Sequence, residues 1–147
     1  MRTIVLFAAS LLLAFASFAP ASGRHACAPV VTGAWVRMTP MMPMGAGFFT
    51  LTNPCRADIV LVGAASPRFG NASMHETRIE GGISRMRALD NVVLRPGQRV
   101  AFLPGGRHLM LMAPDARVSP GHKVRVDLRL RDGRRLPVDF DVRSAAR

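Results

Sequence analysis

From residue 22 onward the apolar positions fall in short runs with a period of two, and Gly, Pro, Asn and Asp stand between the runs. The clearest case is near the C-terminus. Val124, Val126, Leu128 and Leu130 alternate with Arg125, Asp127, Arg129 and Arg131, and Asp132-Gly133 then turns the chain into Leu136, Val138, Phe140 and Val142. Alternation of this kind is the mark of strands with one face in a core, and Asp-Gly between two such runs predicts a hairpin. The same reading predicts strands over 30–38, 48–52, 59–64, 92–94, 100–103 and 108–112, with Trp35 as a core anchor. Residues 74–79 and 83–89 flank Glu80-Gly81-Gly82 and read as a second hairpin. Pro40 and Pro43 exclude a regular element over Thr39–Gly45, because proline cannot donate to a ladder and breaks a helix. No stretch keeps a helical period for three turns. The expectation is an all-β fold, an antiparallel β-sandwich or small barrel.

The first residues follow a different pattern. Met1-Arg2 precedes an almost wholly apolar run from Ile4 to Phe18, and Ala19-Pro20-Ala21 offers small residues for cleavage. The run is about 15 residues, short of the roughly 20 that span a bilayer. Residues 1–21 are therefore expected to be a signal peptide, residues 22–147 a single domain with no membrane span, and the compartment the periplasm. Arg24-His25-Ala26 lacks the apolar residue expected three positions before a lipidated cysteine. In an oxidising compartment Cys27 and Cys55, the only cysteines, are expected to pair as a disulfide rather than form a reactive or metal-binding site.

The formal charge of +11, from 20 basic and 9 acidic side chains, raises nucleic acid as a partner. The basic residues are arginines except for Lys123, and they are spread along the chain without a basic-aromatic stacking motif. Export would also keep the protein from the genome. The charge suits docking on an acidic surface. No nucleic-acid partner is expected, and the chain reads as a monomer.

Histidine and methionine carry the candidate chemistry. In Arg107-His108-Leu109-Met110-Leu111-Met112, positions 108, 110 and 112 share one face of a strand. An imidazole beside a thioether is half of a soft-metal site. His75, with Met86 across the Gly81-Gly82 turn, supplies the other half if folding brings the segments together. Neutral thioethers favour Cu(I), and the set has no carboxylate for Ca²⁺, Mg²⁺ or Mn²⁺. Zinc sites rarely use thioether. Met74 points away from His75 and is expected in the core, and Met112 at the rim of the site. Glu76 and Arg107 either support the ligands or are solvated. His122 in Pro120-Gly121-His122-Lys123 is expected to be exposed, and His25 to lack a metal role.

His75, ten residues, Met86, twenty-one residues, then His108-Leu109-Met110 is a four-point pattern. It resembles the signature of the PCu(A)C-type periplasmic copper chaperones. Ala34-Trp35-Val36-Arg37, Leu61-Val62-Gly63-Ala64-Ala65-Ser66-Pro67, Met74-His75-Glu76 and Pro104-Gly105-Gly106-Arg107 also look like that family, over roughly residues 30–142. The resemblance implies a cupredoxin-like β-sandwich of Greek-key type. It implies one Cu(I) held by His75, Met86, His108 and Met110, and transfer without catalysis. The acceptor it implies is a Sco-type chaperone or a cytochrome c oxidase subunit, in assembly of the oxidase copper centres. One departure is the loop carrying Met41, Met42 and Met44, which either packs on the sandwich or handles incoming Cu(I). Three other readings stand beside the carrier: an electron-transfer cupredoxin, which needs a Cys thiolate between histidines; an enzyme, for which no nucleophile or paired-carboxylate pattern stands out; and a β-sandwich without metal.

Overall fold

A computed structural model describes residues 27–38 and 42–144. The expected signal segment, His25 and Met41 lie outside the described residues. The strands are β1 (Val30–Met38), β2 (Met44–Thr52), β3 (Ile59–Ala65), β4 (Phe69–Glu80), β5 (Ile83–Ala88), β6 (Val92–Leu94), β7 (Arg99–Phe102), β8 (Arg107–Pro114), β9 (Lys123–Leu130) and β10 (Arg135–Ser144). There is no helix among the described residues, and so none long and apolar enough to cross a membrane.

Hydrogen bonding links the strands in the order β5-β4-β8-β2-β1-β10-β9-β3-β6, and β7 pairs with the second half of β2 beyond the end of β8. All pairings are antiparallel except β1 with β10, which run parallel from Trp35↔Asp141 to Met38↔Ser144. The strands close around one apolar core, as alternation predicts. Phe49, Leu51, Leu109 and Leu111 meet Val126, Leu128 and Phe140 within it. Phe49 stacks on Phe102 at 4.4 Å and meets Phe140 edge-on at 5.8 Å.

Three local features depart from the sequence reading. Trp35 is not a core anchor. Gly33 has φ +62°, and the β1·β2 register shifts between Thr32 and Trp35. Past this bulge Val36 faces the core with no exposure, and Trp35 turns outward onto Phe48 at 4.7 Å. Strand β2 begins at Met44, inside the segment expected to be irregular. Pro43 stays outside the ladder as a donor, yet its carbonyl accepts the Ala113 N–H at 3.1 Å and seats the strand start against β8. Strand β4 starts at Phe69, five residues earlier than its apolar pattern suggests, because Phe69 and Asn71 to Ser73 are held by pairing with β8.

Cys27 and Cys55 form the expected disulfide, with their Cα atoms 5.7 Å apart. Fully buried Asn53 organises the loop that presents Cys55. Its Nδ2 donates to the carbonyls of Ala57 and Leu94, both at 2.9 Å, and its Oδ1 accepts the Cys55 N–H at 2.9 Å.

Candidate metal centre

The four sequence-predicted ligands lie on three adjacent strands, β5, β4 and β8, and register places them on one face. His75 in β4 is directly opposite His108 in β8. Met110, two residues along β8, faces Ser73, one diagonal step from His75. On the other side of β4, Ala88 faces His75 and Met86 faces Thr77, so Met86 is the diagonal neighbour across β5. Because strand side chains alternate, Met74, Leu109 and Leu111 point the other way, and all three are buried in the core. The ligand candidates therefore sit on the outer face of the sheet, directly above its packed side.

The two imidazole rings are 6.0 Å apart between centroids, inclined by 25°. The His108 Nδ1 lies 3.0 Å from the Gly106 carbonyl. A carbonyl can only accept, so this contact places the proton on Nδ1 and leaves the Nε2 lone pair free. The turn at Pro104-Gly105-Gly106 is what delivers that carbonyl: the Gly106 N–H donates to Leu103 at 3.0 Å, and the Gly106 carbonyl also accepts the Thr77 N–H at 3.1 Å. The Nδ1 of His75 is buried and has no hydrogen-bond partner. Burial, and then the nearby His108, push the His75 pKa below its ordinary value, so the ring favours the neutral state that can donate a lone pair.

Behind His75 the chain places a charged cluster. Glu76 is 7% exposed and faces Arg87 in β5 and Arg107 in β8 across the ladder. Its carboxylate accepts from Arg78 Nε at 2.7 Å and Arg87 Nη2 at 2.9 Å, with Arg107 Nε at 3.3 Å. Burial raises the pKa of this carboxyl, but the hydrogen bonds from Arg87 and Arg78 and the fields of Arg78 and Arg107 outweigh it and hold the value below the usual range. Glu76 is buried rather than solvated, and its partners are arginines rather than the histidines: with Arg78, Arg87 and Arg107 it ties β5, β4 and β8 together on the side of the ladder opposite His75. His122 is exposed, with Nδ1 near the Ser119 carbonyl at 3.1 Å, and Met112 lies at the rim of the ligand face, 38% exposed.

The family model described as "Putative lipoprotein LpqE-like" matches residues 30–142. The chain belongs to the LpqE-like family. It is 32% identical over 123 residues to "Putative lipoprotein Lxx21020" of Leifsonia xyli subsp. xyli, covering 83% of this chain and 74% of that protein. Among solved structures, apo-DR1885 from Deinococcus radiodurans is similar with a TM-score of 0.64 and 28% identity, over 98% of this chain and 96% of that one. The Cu(I) form of DR1885 matches with a TM-score of 0.63 and 30% identity, over 78% of this chain and 76% of that one. The copper-bound PCuAC domain from PmoF2 matches with a TM-score of 0.66, over 80% of this chain and 93% of that domain; at 19% identity it speaks to the fold alone. The fold of this LpqE-like chain is that of PCuAC domains, an all-β, cupredoxin-like sandwich, as the sequence resemblance implied.

Two features of the ligand face in the LpqE-like chain were not anticipated. Ala46 in β2 stands opposite Met110, so a small side chain adjoins the thioether. Farther along, Trp35 and Phe48 form an aromatic pair on the same outer face, with the Arg143 guanidinium 5.1 Å from the Trp35 ring and that of Arg37 5.4 Å from the Phe48 ring. Alternation from Met110 through Ala46 to Phe48 carries the signal for that placement, once the bulge at Gly33 is known.

Proposed function

We propose that this protein is an exported copper carrier that holds one Cu(I) between His75, Met86, His108 and Met110 and passes it to an acceptor protein. The observation that carries the reading is the pairing of His75 with His108 directly across β4 and β8, with both methionines on diagonals of the same face. A metal bound to an imidazole nitrogen at about 2 Å lies roughly 3 Å from the ring centroid, so two rings sharing an ion have centroids about 6 Å apart in a linear arrangement and about 5 Å apart at a tetrahedral angle. The separation of 6.0 Å therefore needs the rings to close by about 1 Å, a side-chain adjustment, when four ligands bind. The buried, unpartnered Nδ1 of His75 and the free Nε2 of His108 supply lone pairs, and two thioethers make the set soft and neutral, which suits Cu(I). DR1885, a relative in fold and sequence, has a structure in its Cu(I) form.

Blue-copper electron transfer is disfavoured, because it requires a Cys thiolate and both cysteines are joined to each other. Binding and release without catalysis suit a site on an open sheet face. The acceptor that fits the family resemblance is a Sco-type chaperone or a cytochrome c oxidase subunit, and the compartment is the periplasm. X-ray absorption on the copper-loaded protein tests the ligand set. Two nitrogen and two sulfur scatterers are expected, with one nitrogen lost in His108→Ala and one sulfur lost in Met110→Leu. Retention of all four scatterers in both variants would reject the assignment.

A further inference from the structure

The methionines divide by the face they occupy. Met38 and Met74 belong to the buried core, where a flexible thioether fills space. Met44, Met110 and Met112 do not. In register Met44 is opposite Met112, Ala46 is opposite Met110, and all of these lie on the outer face that carries His75 and His108. Met112 is 38% exposed and Met42 is 48% exposed. Leaving a large apolar side chain in water forgoes about 1.5–3 kcal/mol of burial, so packing alone does not explain why Met42 and Met112 are exposed beside the half-buried Met44 and Met110.

We propose that Met44 and Met112 form a second, all-thioether site for Cu(I), adjoining the first through Met110. Directly opposed residues of an antiparallel pair have Cβ atoms about 5 Å apart, within which two flexible thioethers converge on one ion. Met42, at the bend just before β2, supplies a third sulfur, because the bond from Ala113 N–H to the Pro43 carbonyl, 3.1 Å, holds that bend beside the end of β8. The ladder neighbours of the pair are Asn71 and Gly45 with Leu111, and the nearest acidic side chain along β8, Asp115, is engaged by Arg68 at 2.8 Å. Without a carboxylate the site discriminates against hard cations, and without imidazole it binds more weakly than the histidine site.

Position completes the argument. Along β8 the order is His108, Met110, Met112, each step spanning about 7 Å. An ion taken up at Met112 and Met44 reaches the histidines through one intervening thioether, with copper staying Cu(I) throughout. This entry role rests on the carrier reading above; the thioether site itself does not.

The test uses the full mature chain, disulfide intact, with ¹³C-methyl methionine and Ag(I) as a redox-inert analogue of Cu(I). The first equivalent is expected to shift the Met86 and Met110 methyls, and the second those of Met44 and Met112. The Met44→Leu/Met112→Leu double variant, which preserves volume, should bind one equivalent instead of two. It should also load Cu(I) from a chelated donor several-fold more slowly while reaching full first-site occupancy. Methyls of Met44 and Met112 that stay fixed through two equivalents, or a second equivalent retained in the double variant, overturn the site. An unchanged loading rate overturns the entry role. Shifts at Met44 and Met112 with none at Met86 and Met110 would support the thioether site and reject the histidine-site assignment instead.

Discussion

Glycine 47 is where packing and the ligand geometry meet, and Gly47→Ala tests that connection. Gly47 in β2 faces Leu109 in β8, the residue between His108 and Met110. A Cβ at position 47 would lie 3.2 Å from the Leu109 Cβ and 3.5 Å from both Leu109 Cδ1 and Phe140 Cε1. The first contact is the decisive one, since a Cβ is anchored to its own backbone and cannot rotate away. The two strands must therefore separate by a few tenths of an ångström. Overpacking a core typically costs about 1–3 kcal/mol, against a gain of about 0.4–1 kcal/mol from restricting the unfolded chain when glycine is replaced. The net expectation is a loss of about 1–2 kcal/mol in urea denaturation of the apo protein. Moving Leu109 also moves its two neighbours, so Cu(I) affinity measured against a competing chelator should fall about tenfold, equivalent to about 1.4 kcal/mol. A variant as stable as the parent, with unchanged affinity, would mean that β2 does not brace β8 and that the ligand spacing is set elsewhere.

Other perturbations separate the remaining contributions. Cys27→Ala/Cys55→Ala opens a link between residues 28 apart, and loop-closure entropy puts the loss at about 3.6 kcal/mol at 25 °C, measurable by urea denaturation, with Cu(I) stoichiometry unchanged. Glu76→Gln should cost about 1–2 kcal/mol, less than a fully buried pair because its arginine partners are 38–58% exposed; a thermal melt identical to the parent would show that the cluster does not brace the three strands. For His75 the sign is set by a folded pKa below the ordinary 6.5. The unfolded chain takes up the proton first, so apo stability should decline as pH falls through 6.5 and level off once the folded ring is also protonated. Denaturation curves of parent and His75→Gln at pH 8, 7, 6 and 5.5 isolate this contribution, and a parent that loses no more than the variant contradicts it.

Much of the architecture was legible because it is written in local alternation. The β9–β10 hairpin could be placed from Val124 to Val142 since each apolar side chain has one consistent face. The exceptions have specific causes. Glycine in a left-handed conformation at position 33 shifts the register by an amount that periodicity alone does not encode, and so exchanges the faces of Trp35 and Val36. Strand β4 begins before its apolar run because pairing with β8, rather than propensity, stabilises it. The parallel pairing of β1 with β10 joins opposite ends of the chain, and no local pattern announces such a contact. The candidate site was legible for a different reason. Same-face logic joins His108 to Met110, but the meeting of His75 with His108 is a matter of long-range register, and only the resemblance of the four-point spacing to a known family anticipated it.

The distribution of the proposed ligands over strands of unequal support bears on how copper could leave. Strand β4 is paired on both sides, by β5 and β8, and β8 by β4 and β2. These strands present His75, His108 and Met110, over a core that contains Met74, Leu109 and Leu111. Strand β5 is different. It ends the sheet, pairs only with β4, and every one of its residues is exposed. Met86, at 55% exposure, therefore sits on the least braced element of the set. A neutral thioether on an edge strand costs less to displace than the His75 imidazole, because its departure leaves no buried polar atom unpaired, whereas the His75 Nδ1 is buried without another partner. An acceptor approaching the open face can then replace Met86 first while three donors still hold the ion. The same braced strands that keep the histidines in place leave one ligand free to be exchanged, and that asymmetry is what a carrier requires and a permanent redox centre would avoid.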